Sequence, residues 1–148
     1  MVIRLKQRDV QTYAKVISDI IDFTGQNGED LNADFETLRK AVDDDSVASI
    51  GEEELTRIKN HFQSGTDKYQ DGVNKLENAP VPVKLLGRHK TMVNAYKEYA
   101  DACQQMTDSI DLDNQQINQD QFNQSEKDQE DFIDKFSKAA NRVMGSIM

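Results

Sequence analysis

VQTYAKVISDIIDFTGQNGEDLNADFETLRKAV, residues 10–42, is the stretch that decides the fold. Val10, Ala14, Ile17, Ile21, Thr24, Gly28, Leu31, Phe35, Leu38 and Val42 follow one another at alternating steps of four and three. That is the spacing of a heptad seam, the stripe by which one helix packs along another. GQNG at 25–28 carries turn chemistry, yet the phase runs through it unbroken. Two helices joined by a free loop have no reason to stay in phase. The spacing therefore predicts one helix over about 5–44, roughly 60 Å long, with its middle weakened or bent by the glycines.

Outward from this helix the pattern repeats. DDDSVASIGEEE at 43–54 interrupts it, and Ser49 with Glu52 fits a capping box that starts a second helix near residue 50. Leu55, Ile58, Phe62, Gly65, Tyr69, Gly72 and Leu76 form its seam, which ends at Pro80 and Pro82. A short connection makes the two helices antiparallel, with partner numbers summing to about 97. Leu31 then faces Gly65, Gly28 faces Tyr69, and Thr24 lies opposite Gly72. Large residues meet glycines at successive layers.

In the third segment Leu86, His89, Val93, Tyr96, Ala100, Cys103 and Ile110 mark one seam, with Thr107 in its polar gap. Leu85, Met92, Tyr99 and Met106 repeat beside it, so this helix carries a wide apolar face and touches two neighbours. Pro82 suits its first turn. SIDLDNQQINQD breaks the pattern. Asn118 and Gln121 then make a second capping box, opening a fourth helix over about 119–145 with Phe122, Ser125, Gln129, Phe132, Phe136, Ala139 and Val143 on its seam. The expected fold is all-α: one domain over 1–148, made of hairpins 1–79 and 80–148, in an elongated antiparallel bundle of about four long helices. An up-down-up-down bundle is the simplest closure; hairpins end to end, or a three-helix rod with an arm, also satisfy the pattern.

Composition agrees with a slim bundle. Charged residues make up 30% of the chain and hydrophobic ones 36%, as when each helix gives one stripe to a core and the rest to water. A net charge of −9 argues against nucleic acid, whose phosphates need a basic surface. A single cysteine excludes an internal disulfide. No apolar run approaches a membrane span, and MVIRLKQRDV has no apolar core of a Sec signal. The expected location is cytoplasmic, or outside the cell by a route without a cleaved signal.

No catalytic or cofactor constellation emerges. His89 and Cys103 share a face but stand 14 residues apart on one helix, about 21 Å, too far for a nucleophile pair or a shared metal. His61, beside Phe62, falls at a seam edge. His89 reads as a half-buried bundle histidine, and Tyr96 and Tyr99 as core edges with wet hydroxyls. Asp43 to Asp45 and Glu52 to Glu54 lack calcium-loop spacing and read as solvated turn and helix N-terminus. No catalytic residue, metal ligand or cofactor is assigned.

Laid on the bundle, the charges separate. Asp43 to Asp45, Glu52 to Glu54, Asp108, Asp111, Asp113 and Asp120 gather at one end. Arg4, Lys6, Arg8, Lys75, Lys84, Arg88, Lys90, Lys138 and Arg142 gather at the other. Such a rod steers docking to an acidic partner or an anionic membrane surface, and Lys84, Arg88 and Lys90 are the candidate partner-binding residues.

The first hairpin, residues 1–79, resembles in size and style the WXG-type small helical proteins of the Gram-positive type VII secretion pathway and the helical partners of its LXG toxins. Phe23-Thr24-Gly25 and Leu85-Leu86-Gly87 match loose x-Gly patterns. The turn DDDSVASIG has no Trp-x-Gly, and the tail NRVMGSIM has no Tyr-xxx-Asp/Glu signal. The resemblance implies a helix-packing partner or adaptor. The expected function is a non-enzymatic interaction or scaffold protein that packs helices with a protein partner or a second copy. The alternatives are a type VII-associated adaptor or substrate, and behind it a bundle metal protein.

Overall fold

In the computed structural model the described residues are 2–147, with side chains described from residue 9 onward. Four helices account for most of the chain: α1 Val2–Asp43, α2 Glu52–Glu77, α3 Leu86–Asp108 and α4 Gln119–Ile147. They close as an up-down-up-down bundle. α3 packs most closely on α4, then α2 on α3 and α1 on α2; α1 and α4 complete the ring with the thinnest contact.

α1 runs through GQNG without a break, so the unbroken heptad phase outweighs the local turn chemistry. Its buried stripe differs from the expected one. Tyr13, Ile17, Ile20, Thr24, Asn27, Asp34, Leu38 and Ala41 are buried. Ile17, Thr24, Leu38, the equally buried Val42 and the part-buried Leu31 belong to both stripes. The companion positions shift one residue earlier, from Ala14, Ile21, Gly28 and Phe35 to Tyr13, Ile20, Asn27 and Asp34. Ile21 is left 42% exposed. The shift has a polar cause: Asn27 donates from Nδ2 to the Gly65 carbonyl at 3.0 Å, and Asp34 accepts from Arg57 at 2.8 Å. Apolar periodicity cannot register such bonds.

The expected glycine layers hold at two positions. A Cβ at Gly65 would stand 2.7 Å from Leu31 Cδ1, and one at Gly28 3.7 Å from the Tyr69 hydroxyl. At Gly72 the occupant is not Thr24: a Cβ there would meet Tyr96 Cε2 at 3.0 Å and Ile20 Cδ1 at 3.4 Å. α3 reaches across the bundle into the space that the α1–α2 pairing alone assigned to Thr24.

The connections also depart from expectation. α1 ends in a Schellman motif: the Ser46 amide bonds the Ala41 carbonyl at 2.8 Å and the Asp45 amide bonds Val42 at 3.3 Å. Asp45 takes the left-handed position, φ 52°. Ser49 does not cap α2. It lies in a 3-10 turn, Val47–Ile50, and Gly51 at φ 92° is the N-cap, with no side-chain cap bond. Asn118 does cap α4, accepting from the Gln121 amide at 3.1 Å, while the Gln121 side chain turns to Gln105. Between α3 and α4 lies a two-stranded ribbon that the sequence did not announce, β1 Ile110–Asp111 against β2 Gln116–Ile117. Its paired isoleucines are buried and close the bundle's end with Val47, Leu55 and Phe122.

The core has two parts. One, around Tyr13, Ile17, Tyr69, Tyr96, Phe136 and Val143, fills the half toward the α2–α3 connection. The other, around Leu38, Ile58, Phe62, Ile110, Ile117 and Phe122, fills the opposite half. Leu31 packs against both.

Candidate functional site

The α2–α3 connection presents the candidate docking residues. Asn78 ends α2, Pro82 precedes a 3-10 turn over Val83–Leu85, and α3 begins at Leu86. Leu85 turns into the core, which turns its neighbours outward. Lys84, Arg88 and Lys90 are all exposed, and among the described residues none has a carboxylate within ion-pair distance. Arg88 reaches the end of α4, where it donates to Ser146 Oγ. Between the cations stand Val83, 81% exposed, and Leu86, 44% exposed. Leu86 was expected on the α3 seam; the helix starts there, and the first seam residue to turn inward is His89. Lys90, Lys97 and one carboxylate, Glu77, border a depression over Val81, Leu86 and Val93.

The surrounding charge follows the expected layout. Lys75, Lys138 and Arg142 are exposed in the same half, with Lys138 bonded to Asp134 at 2.9 Å. The side chains of Arg4, Lys6 and Arg8 lie outside the described residues. The acidic groups cluster at the far end, where the α1–α2 and α3–α4 connections meet.

His89 is more deeply buried than its half-buried reading implied, at 6% exposure. Its Nδ1 pairs with the Tyr13 hydroxyl at 2.8 Å. Burial holds its pKa below the ordinary value. It joins α3 to α1 beneath the basic end. Tyr96 and Tyr99 are also interior residues, with hydroxyls bonded to Thr24 at 2.7 Å and Tyr69 at 3.3 Å. Burial pushes the Cys103 thiol up to about 12, which leaves it protonated and unreactive at neutral pH.

One charged cluster escaped the sequence reading. His61 bonds Asp34 through Nδ1 at 2.6 Å and Asp30 through Nε2 at 3.0 Å, and Arg57 bonds Asp34 from the other side. The Asp30 and Asp34 carboxylates raise the His61 pKa, and Arg57 followed by His61 lowers that of Asp34. The antiparallel register could have revealed this, since 34 and 61 sum to 95, close to the value for facing positions. The two carboxylates lie on opposite imidazole nitrogens and clamp α1 to α2. Among the described residues no three His, Cys, Asp or Glu side chains are arranged to hold a metal ion, and no helix is long and apolar enough to cross a membrane.

No family model, curated protein or solved structure matches the chain.

Proposed function

We propose that the chain is a non-enzymatic interaction or scaffold protein that docks an acidic protein partner on its basic end. The observation that carries this reading is the surface formed by Lys84, Arg88 and Lys90 around exposed Val83 and Leu86. Cations that no carboxylate among the described residues pairs with attract an acidic surface over a distance. Apolar side chains among them supply the short-range contact that charge alone lacks. The partner's helix packs there by the same seam chemistry that builds the bundle, and a second copy of the chain can serve by offering its acidic end.

The test is a charge reversal, Lys84→Glu with Arg88→Glu and Lys90→Glu. All three side chains are exposed, so the fold persists, as the far-ultraviolet circular dichroism should confirm. Partners captured by the wild-type chain at low salt should be lost by the variant and should weaken as salt rises. Retention of every partner by the variant overturns the docking reading.

A second reading, a type VII-associated adaptor or substrate, draws on the long antiparallel hairpin α1–α2 and its likeness in size and style to that pathway's small helical proteins. Its test is export: the chain should appear in the medium of a host with an active type VII pathway and remain in the cells when the pathway's ATPase is deleted.

A further inference from the structure

The two halves of the core do not meet completely. At their junction lies a cleft of about 250 Å³ that all four helices line. Leu31, Phe35, Phe62, Tyr69 and Met106 form apolar and aromatic walls. Protein interiors are ordinarily close-packed, and an apolar gap of this size forfeits contact energy. The cause is local to α4. Phe122 and Phe136 fill the core on either side, but the seam position between them that faces the junction is Gln129. Its amide spans the gap to a poor acceptor, the Met106 thioether, at 3.6 Å.

The mouth has its own chemistry. It opens between α1 and α4, the pair of helices with the thinnest contact. Glu126 and Glu130, on successive turns of α4, stand beside it. Two carboxylates at this spacing repel. Arg39 relieves the pair only in part: it is engaged by Asp43 at 2.6 Å and Asn123 at 2.9 Å, and its nearest approach to Glu126 is 3.6 Å. Among the described residues Glu130 has no ion-pair partner.

We propose that this cleft is a binding site for a small organic cation with an apolar body, an aryl- or alkylammonium. The apolar body displaces the void between Leu31, Phe35, Phe62 and Met106, and the ammonium lies at the mouth against Glu126 and Glu130. The aromatic walls favour a cation at the rim as well. Size sets the class: an apolar cavity of about 150 Å³ accommodates benzene, so this cleft takes a ring with a short chain, of about nine non-hydrogen atoms.

The test uses three probes of one shape: phenethylammonium, phenethyl alcohol and phenylacetate. Binding is read from the Met106 methyl resonance of the full chain carrying labelled methionine. Phenethylammonium should shift that resonance saturably in the millimolar range or below, and bind about fivefold more tightly than the alcohol, the ratio expected of one partly exposed ion pair. Phenylacetate should bind more weakly than either. The double variant Glu126→Gln and Glu130→Gln should remove most of the cation's advantage over the alcohol. Gln129→Trp should place its ring in the gap and weaken the binding of both. No Met106 shift with phenethylammonium up to about 20 mM, equal binding of cation and alcohol to the wild type, or undiminished binding by Gln129→Trp each overturns the proposal.

Discussion

Glycines in one bundle can serve opposite ends, and the surrounding atoms decide which. At Gly65 an added Cβ would lie 2.7 Å from Leu31 Cδ1. The clash falls on the methyl end of the Leu31 side chain, which borders open space between the two halves of the core and can turn into it only by giving up packing, so Gly65→Ala should cost roughly 1 kcal/mol. Gly25 has nothing within 4 Å of the same construction, and its helical backbone suits alanine. Gly25→Ala should stabilise by roughly 0.5–1 kcal/mol through the unfolded chain. Thermal unfolding of the two variants should move in opposite directions by a few degrees. The two histidines make a second opposed pair. The pKa of His61 is raised by Asp30 and Asp34, so the stability it contributes is complete below the unfolded value of about 6.5 and is lost as pH rises through its folded value. Burial depresses the pKa of His89, so its neutral ring contributes above about 6.5, and that stability is lost as pH falls through its folded value. Two imidazole titrations should therefore bracket 6.5 in a magnetic resonance experiment. His61→Gln should remove the upper one and His89→Gln the lower; two titrations on the same side would contradict the assigned environments.

At the scale of elements, caps separate what could be read from what could not. Asn118 was legible because an Asx cap acts within three residues, and Asn118→Ala should cost about 1 kcal/mol as a midpoint shift in urea. Ser49 fitted the same pattern and fails, because Gly51 at φ 92° redirects the chain and starts α2 two residues later. Ser49→Ala should leave the urea midpoint unchanged. Asp45 holds the left-handed position that glycine usually occupies, so Asp45→Gly should stabilise by roughly 0.5–1 kcal/mol. Helix number, extent and antiparallel order were legible because apolar spacing repeats over many turns. The Leu31–Gly65 and Gly28–Tyr69 layers were legible because one register sum fixes them together. The one-residue shift of the α1 stripe was not, since Asn27 and Asp34 are buried by bonds to α2 that periodicity scores as exposed. The Ile110–Ile117 ribbon was not, since two residues per strand carry no alternation. Lys84, Arg88 and Lys90 were legible as an exposed basic turn, but the exposure of Val83 and Leu86 between them depends on where α3 begins.

At the scale of the whole molecule, the helices are unequally held. α3 lies between α2 and α4 and packs closely on both, whereas α1 meets α2 less closely and α4 least. Part of the α1–α2 contact is polar: Asn27 to the Gly65 carbonyl, and Asp34 between Arg57 and His61. Polar contacts contribute less net free energy than buried apolar area, because the open state recovers them with water. Removing one partner, however, strands the other. The lowest-energy opening of this bundle should therefore detach α1 while α3 and α4 stay together. Native-state hydrogen exchange should give the amides of Ile17–Ala41 a smaller opening free energy than those of Met92–Met106. Asn27→Ala removes this interhelical bond, while the Gly65 carbonyl keeps the amide of Tyr69 within α2, and should lower protection in α1 by roughly 0.5–1.5 kcal/mol. The most protected amides of α3 should move only through the fall in global stability. Equal protection of α1 and α3 in the wild type, with equal losses in the variant, would mean that the bundle opens only as a unit.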